Sequence, residues 1–200
     1  MRLTFLSLLT LIFFTSCGAN KNSIPENDLN NNINNKYNKQ YRNSVDGRFG
    51  KMGSATLGQF YEALGQNLNI NIDTSKTILI NYLQKGDNCI VRSGDEKYEK
   101  NVLKTYKNMS DRISKIYDTK NILVLTKNSY FSKYAEDNTD WLEDNNFIKN
   151  NIFTSNKNCS GFFILRTDGK FYKYYGEDYF SIVKKLLSAK EWDYPDKVLE

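Results

Sequence analysis

No histidine occurs among the 200 residues of this chain. That absence excludes Ser-His-Asp and Cys-His nucleophilic catalysis, histidine-ligated zinc and histidine proton shuttles. Cysteine is sparse, with only Cys17, Cys89 and Cys159. The apolar run from Leu3 to Phe14 is broken by Thr and Ser, and falls short of the roughly 20 apolar residues that a membrane-spanning helix needs. A phosphate-cradling glycine loop, a paired-carboxylate motif and a nucleophile elbow are all missing. The net charge is only +5, and its lysines are interleaved with Asp and Glu. They form no concentrated basic stripe of the kind that marks a nucleic-acid binder, so they read as solvated faces. No motif calls for a cofactor.

What the chain does contain suits one globular body with extensions. Hydrophobic residues make up 40% and charged residues 26%, ordinary values for a folded domain. Aromatics reach 14%, which favours strands and well-filled cores.

Residues 1–16 have the build of an export signal: Arg2, a short apolar core, then small residues. Phe14-Thr15-Ser16-Cys17 resembles the lipobox of bacterial lipoproteins, with Phe14 where that family most often has Leu. The resemblance implies that the signal is cut before Cys17 and that Cys17 carries lipid, a firm membrane anchor once several acyl chains are attached. Gly18, where enteric lipoproteins retained at the inner membrane carry Asp, implies the outer membrane of a cell envelope. Residues 17–46 include Asn30-Asn31-Asn32 and Asn34-Asn35 and few large apolar side chains. Such a segment cannot bury enough apolar area to offset its ordering entropy, so it reads as a tether.

Residues 47–67 read as a lead-in: Gly47, Gly50 and Gly53 mark a loop, and a short helix spans Ser54 to Leu64, with Gly65 as its stop signal. Residues 68–190 read as the main domain. Leu68 to Asp73 alternates as a strand, and Thr77 to Leu83 is a β-rich run suited to a buried strand. A long helix is expected over Asp95 to Tyr117, with Val102, Tyr106, Met109, Ile113 and Ile116 on its apolar face. Ile122 to Thr126 is a second buried strand, and Ser129 to Lys149 reads as an irregular helix. Phe162 to Arg166 and Lys170 to Tyr175 are strands joined by Asp168-Gly169, a two-residue hairpin turn. After Asp178 an amphipathic helix buries Tyr179, Ile182, Val183, Leu186 and Leu187, and residues 191–200 form a tail that frays.

In that order the elements resemble a thioredoxin-like α/β fold, a three-layer sandwich with a mixed central sheet and helices on both faces, preceded by one added strand. TILINYL resembles the family's first central strand, and GFFILRTDGKFYKYYGE resembles its closing hairpin. The resemblance spans about Leu68 to Ala189. Its diagnostic motifs are altered: where the family has Cys-x-x-Cys this chain has Cys89 alone, with Arg92 at the second position, and Ser160 stands in place of the cis-proline. Ordinary dithiol exchange therefore does not carry over. The family's two active-site loops lie side by side, which implies that Cys89 and Cys159 approach within disulfide range, about 4.4–6.8 Å between Cα atoms. Three readings stay open: a structural clamp, a redox-active pair divided between two loops, or two unrelated buried thiols.

Other clusters have plainer readings. Asp137, Asp140, Glu143 and Asp144 around Trp141 lack calcium-loop spacing and read as a solvated helix face. Phe171, Tyr172, Tyr174 and Tyr175 divide between core and surface, with a stacking surface as the alternative. The function expected is a lipid-anchored envelope protein with a non-catalytic thioredoxin-like domain that binds or assembles with an envelope protein. The alternatives are a divergent thiol-disulfide or peroxide-handling enzyme, with Cys89 and Cys159 as catalytic candidates, and an interaction or toxin-neutralising lipoprotein on another α/β fold. The anchor is open to direct test. Cys17→Ser is expected to abolish incorporation of radiolabelled palmitate and to leave the precursor uncut; a labelled Cys17→Ser chain would contradict the lipid assignment.

Overall fold

The computed structural model describes residues 46–86, 89, 96–134, 140–177 and 179–192. The signal, Cys17, the tether up to residue 45, Arg92, Asp137, Asp178 and the tail from residue 193 lie outside the described residues. Among those described, six strands form one mixed sheet: β1 (Asp46–Lys51), β2 (Ile78–Leu83), β3 (Lys120–Thr126), β4 (Trp141–Asp144), β5 (Ser160–Leu165) and β6 (Lys170–Tyr175). Four α-helices accompany them: α1 (Ser54–Leu68), α2 (Glu96–Tyr117), α3 (Phe147–Asn151) and α4 (Phe180–Ser188). The sheet order is β1-β6-β5-β2-β3-β4. The pairs β2–β3 and β3–β4 are parallel and the other three are antiparallel. No described helix is long and apolar enough to cross a membrane.

Both faces of the sheet are covered, and for that reason its central strands are continuously apolar. Leu79, Leu83, Leu123, Leu125, Phe162 and Ile164 pack with Leu103, Tyr106 and Ile113 of α2 and Phe180 and Val183 of α4. Their neighbours along the same strands, Ile80, Tyr82, Ile122, Val124, Phe163 and Leu165, pack with Tyr61, Leu64 and Leu68 of α1 and Ile148 of α3. The period-two alternation of strand side chains thus divides one sheet between two cores.

Five expectations about where elements begin, end or turn are corrected. The first strand of the sheet is β1, and Leu68 to Asp73, expected to be a strand, is not one. The glycines of β1 read as loop, yet a Cβ on Gly47 would lie 2.0 Å from the Tyr172 hydroxyl oxygen, and one on Gly50 would lie 2.1 Å from the Phe171 ring. Aromatic side chains of β6 lie across these glycines, so here glycine belongs to the strand. Helix α1 runs through Gly65 to Leu68 and stops at Asn69, whose φ of 52° supplies the left-handed cap. The region read as one irregular helix, Ser129 to Lys149, contains a 3-10 turn at Ser132–Tyr134, then β4, then α3. The hairpin loop has three residues, because Arg166 and Lys170 pair across it and Gly169 takes φ 84° as the residue that completes the turn. The tail does not fray at once: Trp192 is buried and its indole N–H donates to the Leu186 carbonyl at 2.8 Å.

Helix α2 begins within a residue of its expected start, but its buried face is turned. Leu103, Tyr106, Ser110, Ile113 and Ser114 are buried, whereas Met109 is 38% and Ile116 62% exposed. The cause is polar. Fully buried Asn81 on β2 donates to the Ser110 hydroxyl at 2.7 Å and to Asn121 at 3.0 Å, and it accepts from the Tyr179 hydroxyl at 2.9 Å. Burial raises the Tyr179 pKa well above the ordinary phenol value, which keeps its proton available for that bond. A buried asparagine needs such partners, so the helix presents its serine, and the larger apolar residues beside it turn outward. Leu103→Ala is therefore expected to cost about 2–5 kcal/mol and Met109→Ala no more than about 0.5 kcal/mol in urea-induced unfolding. The opposite ranking would show that the helix has the phase read from its apolar periodicity.

Candidate functional site

Strands β2 and β5 are neighbours and run antiparallel, so the end of β2 and the start of β5 lie at the same pole of the sheet. Residues far apart in sequence meet there. The Gln84 N–H donates to the Cys159 carbonyl at 2.8 Å, extending the ladder one step past the strands. Buried Gln84 also sends its side-chain amide to the carbonyls of Ser155 (2.9 Å) and Asn158 (2.8 Å). Gly86 lies flat on the facing loop: a Cβ there would be 2.3 Å from the Asn158 carbonyl carbon and 2.7 Å from the Cys159 nitrogen. Only glycine fits that approach.

The loop that carries Cys159 is fixed from several sides. Phe153 stacks on Tyr82 at 4.5 Å and meets Tyr175 edge-on at 5.3 Å. The Ser155 N–H donates to the Tyr175 hydroxyl at 3.1 Å, and the Lys173 ammonium donates to the Ile152 carbonyl at 3.0 Å. Aromatic residues of the closing hairpin thus serve packing: Tyr174 and Tyr175 are buried, and Tyr172 sits 4.4 Å from Phe49.

Between these two loops Cys89 and Cys159 are joined by a disulfide, with Cα atoms 5.0 Å apart and a sequence separation of 70. The approach lies inside the expected range. Both cysteines are buried, at 6% and 1% exposure. Ser160 follows at once; its hydroxyl lies 3.3 Å from that of Tyr106 and donates to the Gly176 carbonyl at 3.4 Å. Tyr106 reaches over from α2 and donates to the Glu177 carbonyl at 2.9 Å. Glu177 itself is buried, and its carboxylate and the two sulfurs all lie within 4.8 Å of one another.

The acidic group around Trp141 is not one surface. Asp144 is buried and caps α3, accepting from the N–H groups of Ile148 (3.0 Å) and Lys149 (2.9 Å), while Asp140 pairs with Lys107 at 3.5 Å. Gln84, Gly86 and Glu177 escaped the sequence reading, and Tyr106 was read only as part of the apolar face of α2. For Gln84 and Gly86 a signal existed, since a glutamine and a glycine directly after an apolar strand suit a tight crossing. Glu177 offered none, because its place depends on the hairpin's return to the same pole. Comparisons with known protein families, curated proteins and solved structures found no match.

Glycine at position 86 gives the test of this crossing. Gly86→Ala is expected to destabilise the domain by about 2–3 kcal/mol, through forced separation of the loops. It should also lower the yield of the disulfide formed on refolding, read by thiol labelling. An unchanged unfolding midpoint and yield would contradict the close approach.

Proposed function

We propose that the chain is a lipid-anchored lipoprotein of the cell envelope, held at the outer membrane through Cys17. Its body is a divergent thioredoxin-like domain that binds or assembles with an envelope protein and does not catalyse ordinary thiol exchange. The single observation that carries the reading is the disulfide between Cys89 and Cys159, each supplied by a different loop at one pole of the sheet.

Supporting the fold family is the block β6-β5-β2-β3. It has a parallel pair linked through a helix and an antiparallel hairpin followed by a helix, the arrangement that the sequence resemblance implies. β1 and β4 are added at the two edges. Supporting a clamp over a catalyst are the burial of both sulfurs and the absence of histidine from the chain. An exchange catalyst presents an accessible thiol of lowered pKa, usually with a resolving cysteine two residues away. Here the residue three positions after Cys89 is Arg92. A bond that closes a loop of 70 residues contributes roughly 4 kcal/mol in the chain-entropy account.

The clamp and the enzyme differ in redox poise. A clamp is expected to have a reduction potential below about −300 mV and to withstand glutathione, and Cys89→Ala with Cys159→Ala should lose about 2–5 kcal/mol of stability. A potential near −180 to −230 mV, with turnover of a disulfide substrate, would instead establish the oxidoreductase.

A further inference from the structure

We propose that the groove between α1 and α3, on the β5–β6 part of the sheet, binds an amphipathic carboxylate of the fatty-acid class. Its head group sits on the Lys173 ammonium and its tail lies against Phe60, Phe163 and Phe171. The proposal depends on neither the fold family, the disulfide nor the lipid anchor.

Strand alternation builds the floor. Phe163 of β5 and Phe171 and Lys173 of β6 share the side of the sheet that α1 and α3 cover. Cover is thin toward the β1 edge, where the register partner of Phe171 is Gly50. Met52, Phe60 of α1 and Ile152, directly after α3, line the sides. The ring centroids of Phe60 and Phe163 are 6.0 Å apart and those of Phe163 and Phe171 are 5.4 Å apart, so the apolar lining is continuous. The groove encloses about 290 Å³, at the lower end of small-molecule sites. That volume suits one short hydrocarbon tail and not the paired chains of a phospholipid.

Charge selects the head group. The half-buried Lys173 ammonium lines the groove and gives one of its three N–H groups to the Ile152 carbonyl at 3.0 Å, which leaves two for a ligand. Arg48 is its register partner on β1, and like charges opposite one another on paired strands repel. Asp46, the carboxylate nearby, is shared between Lys157 at 3.0 Å and Arg48 at 3.4 Å. One carboxylate thus faces three cations. Burial, and next the Arg48 charge, lower the Lys173 pKa from the ordinary lysine value, and a bound carboxylate offsets both effects. The lining apart from Lys173 and Asn151 is apolar, so an acid without a tail gains little from burial there.

The full chain is titrated with decanoate, and separately with decanol, which has the same tail and no charge. The methyl NMR signals of Met52 and Ile152 should move and saturate with decanoate, and decanol should bind at least about ten-fold more weakly. Lys173→Met should remove that preference, so that the two ligands bind alike. If Lys173→Met does not fold, Lys173→Gln, whose amide can still donate to the Ile152 carbonyl, is read in the same way. Signals of Met52 and Ile152 that stay still with decanoate would overturn the site. Decanol that binds the parent chain as tightly as decanoate, or a Lys173 variant that keeps the preference, would overturn the seat of the carboxylate.

Discussion

Two loops separated by most of the domain's sequence meet at one end of the sheet, with the Gly86 backbone pressed against the Asn158–Cys159 peptide. That contact is the constraint on which the rest of the structure turns. It requires β2 and β5 to be adjacent and antiparallel, which leaves β3 and β4 to the far side of β2. It leaves no space for a side chain at position 86 and puts Cys89 against Cys159. The disulfide reports the crossing and reinforces it, but it does not create it: backbone and glutamine hydrogen bonds hold the same two segments.

The two cores explain how so small a domain fixes this pole. Each central strand gives alternate side chains to opposite layers, so moving β2 or β5 by one residue would exchange the sets that belong to α1 with those that belong to α2 and α4. Register is therefore held over the whole sheet, and the positions of Gln84 and Ser160, one step beyond the apolar runs, follow from it. Buried Asn81, Ser110 and Tyr179, with half-buried Asn121, add a polar lock between the sheet and the helices on one side. A buried polar group of this kind specifies one packing, because a shifted helix would leave its donors unpaired.

Much of this arrangement was legible in the sequence. The runs at Ile78–Leu83, Lys120–Thr126 and Ser160–Leu165 are apolar at both parities, the mark of strands covered on two faces. The hairpin was marked by Asp168-Gly169, and the cysteine pairing followed from the family resemblance. The missed parts share a cause: each depends on a partner distant in sequence. Gly47 and Gly50 become strand residues only because Phe171 and Tyr172 cover them. Trp141 to Asp144 becomes a strand because β3 offers a parallel edge, and its length of four residues is too short for periodicity to reveal. The expected face of α2 followed apolar side chains alone, whereas Asn81 draws the hydroxyl of Ser110 inward. Glu177 joined the site through the return of β6, which no local pattern records.

Disulfide mapping of the purified chain tests the central claim most directly. Proteolysis without reductant, followed by mass spectrometry, should yield one cross-linked species that joins the peptide bearing Cys89 to the peptide bearing Cys159, and reduction should resolve it into the two. Free thiols at both positions in protein kept from reductants, or either cysteine bonded elsewhere, would contradict the Cys89–Cys159 bond on which the account of this pole rests.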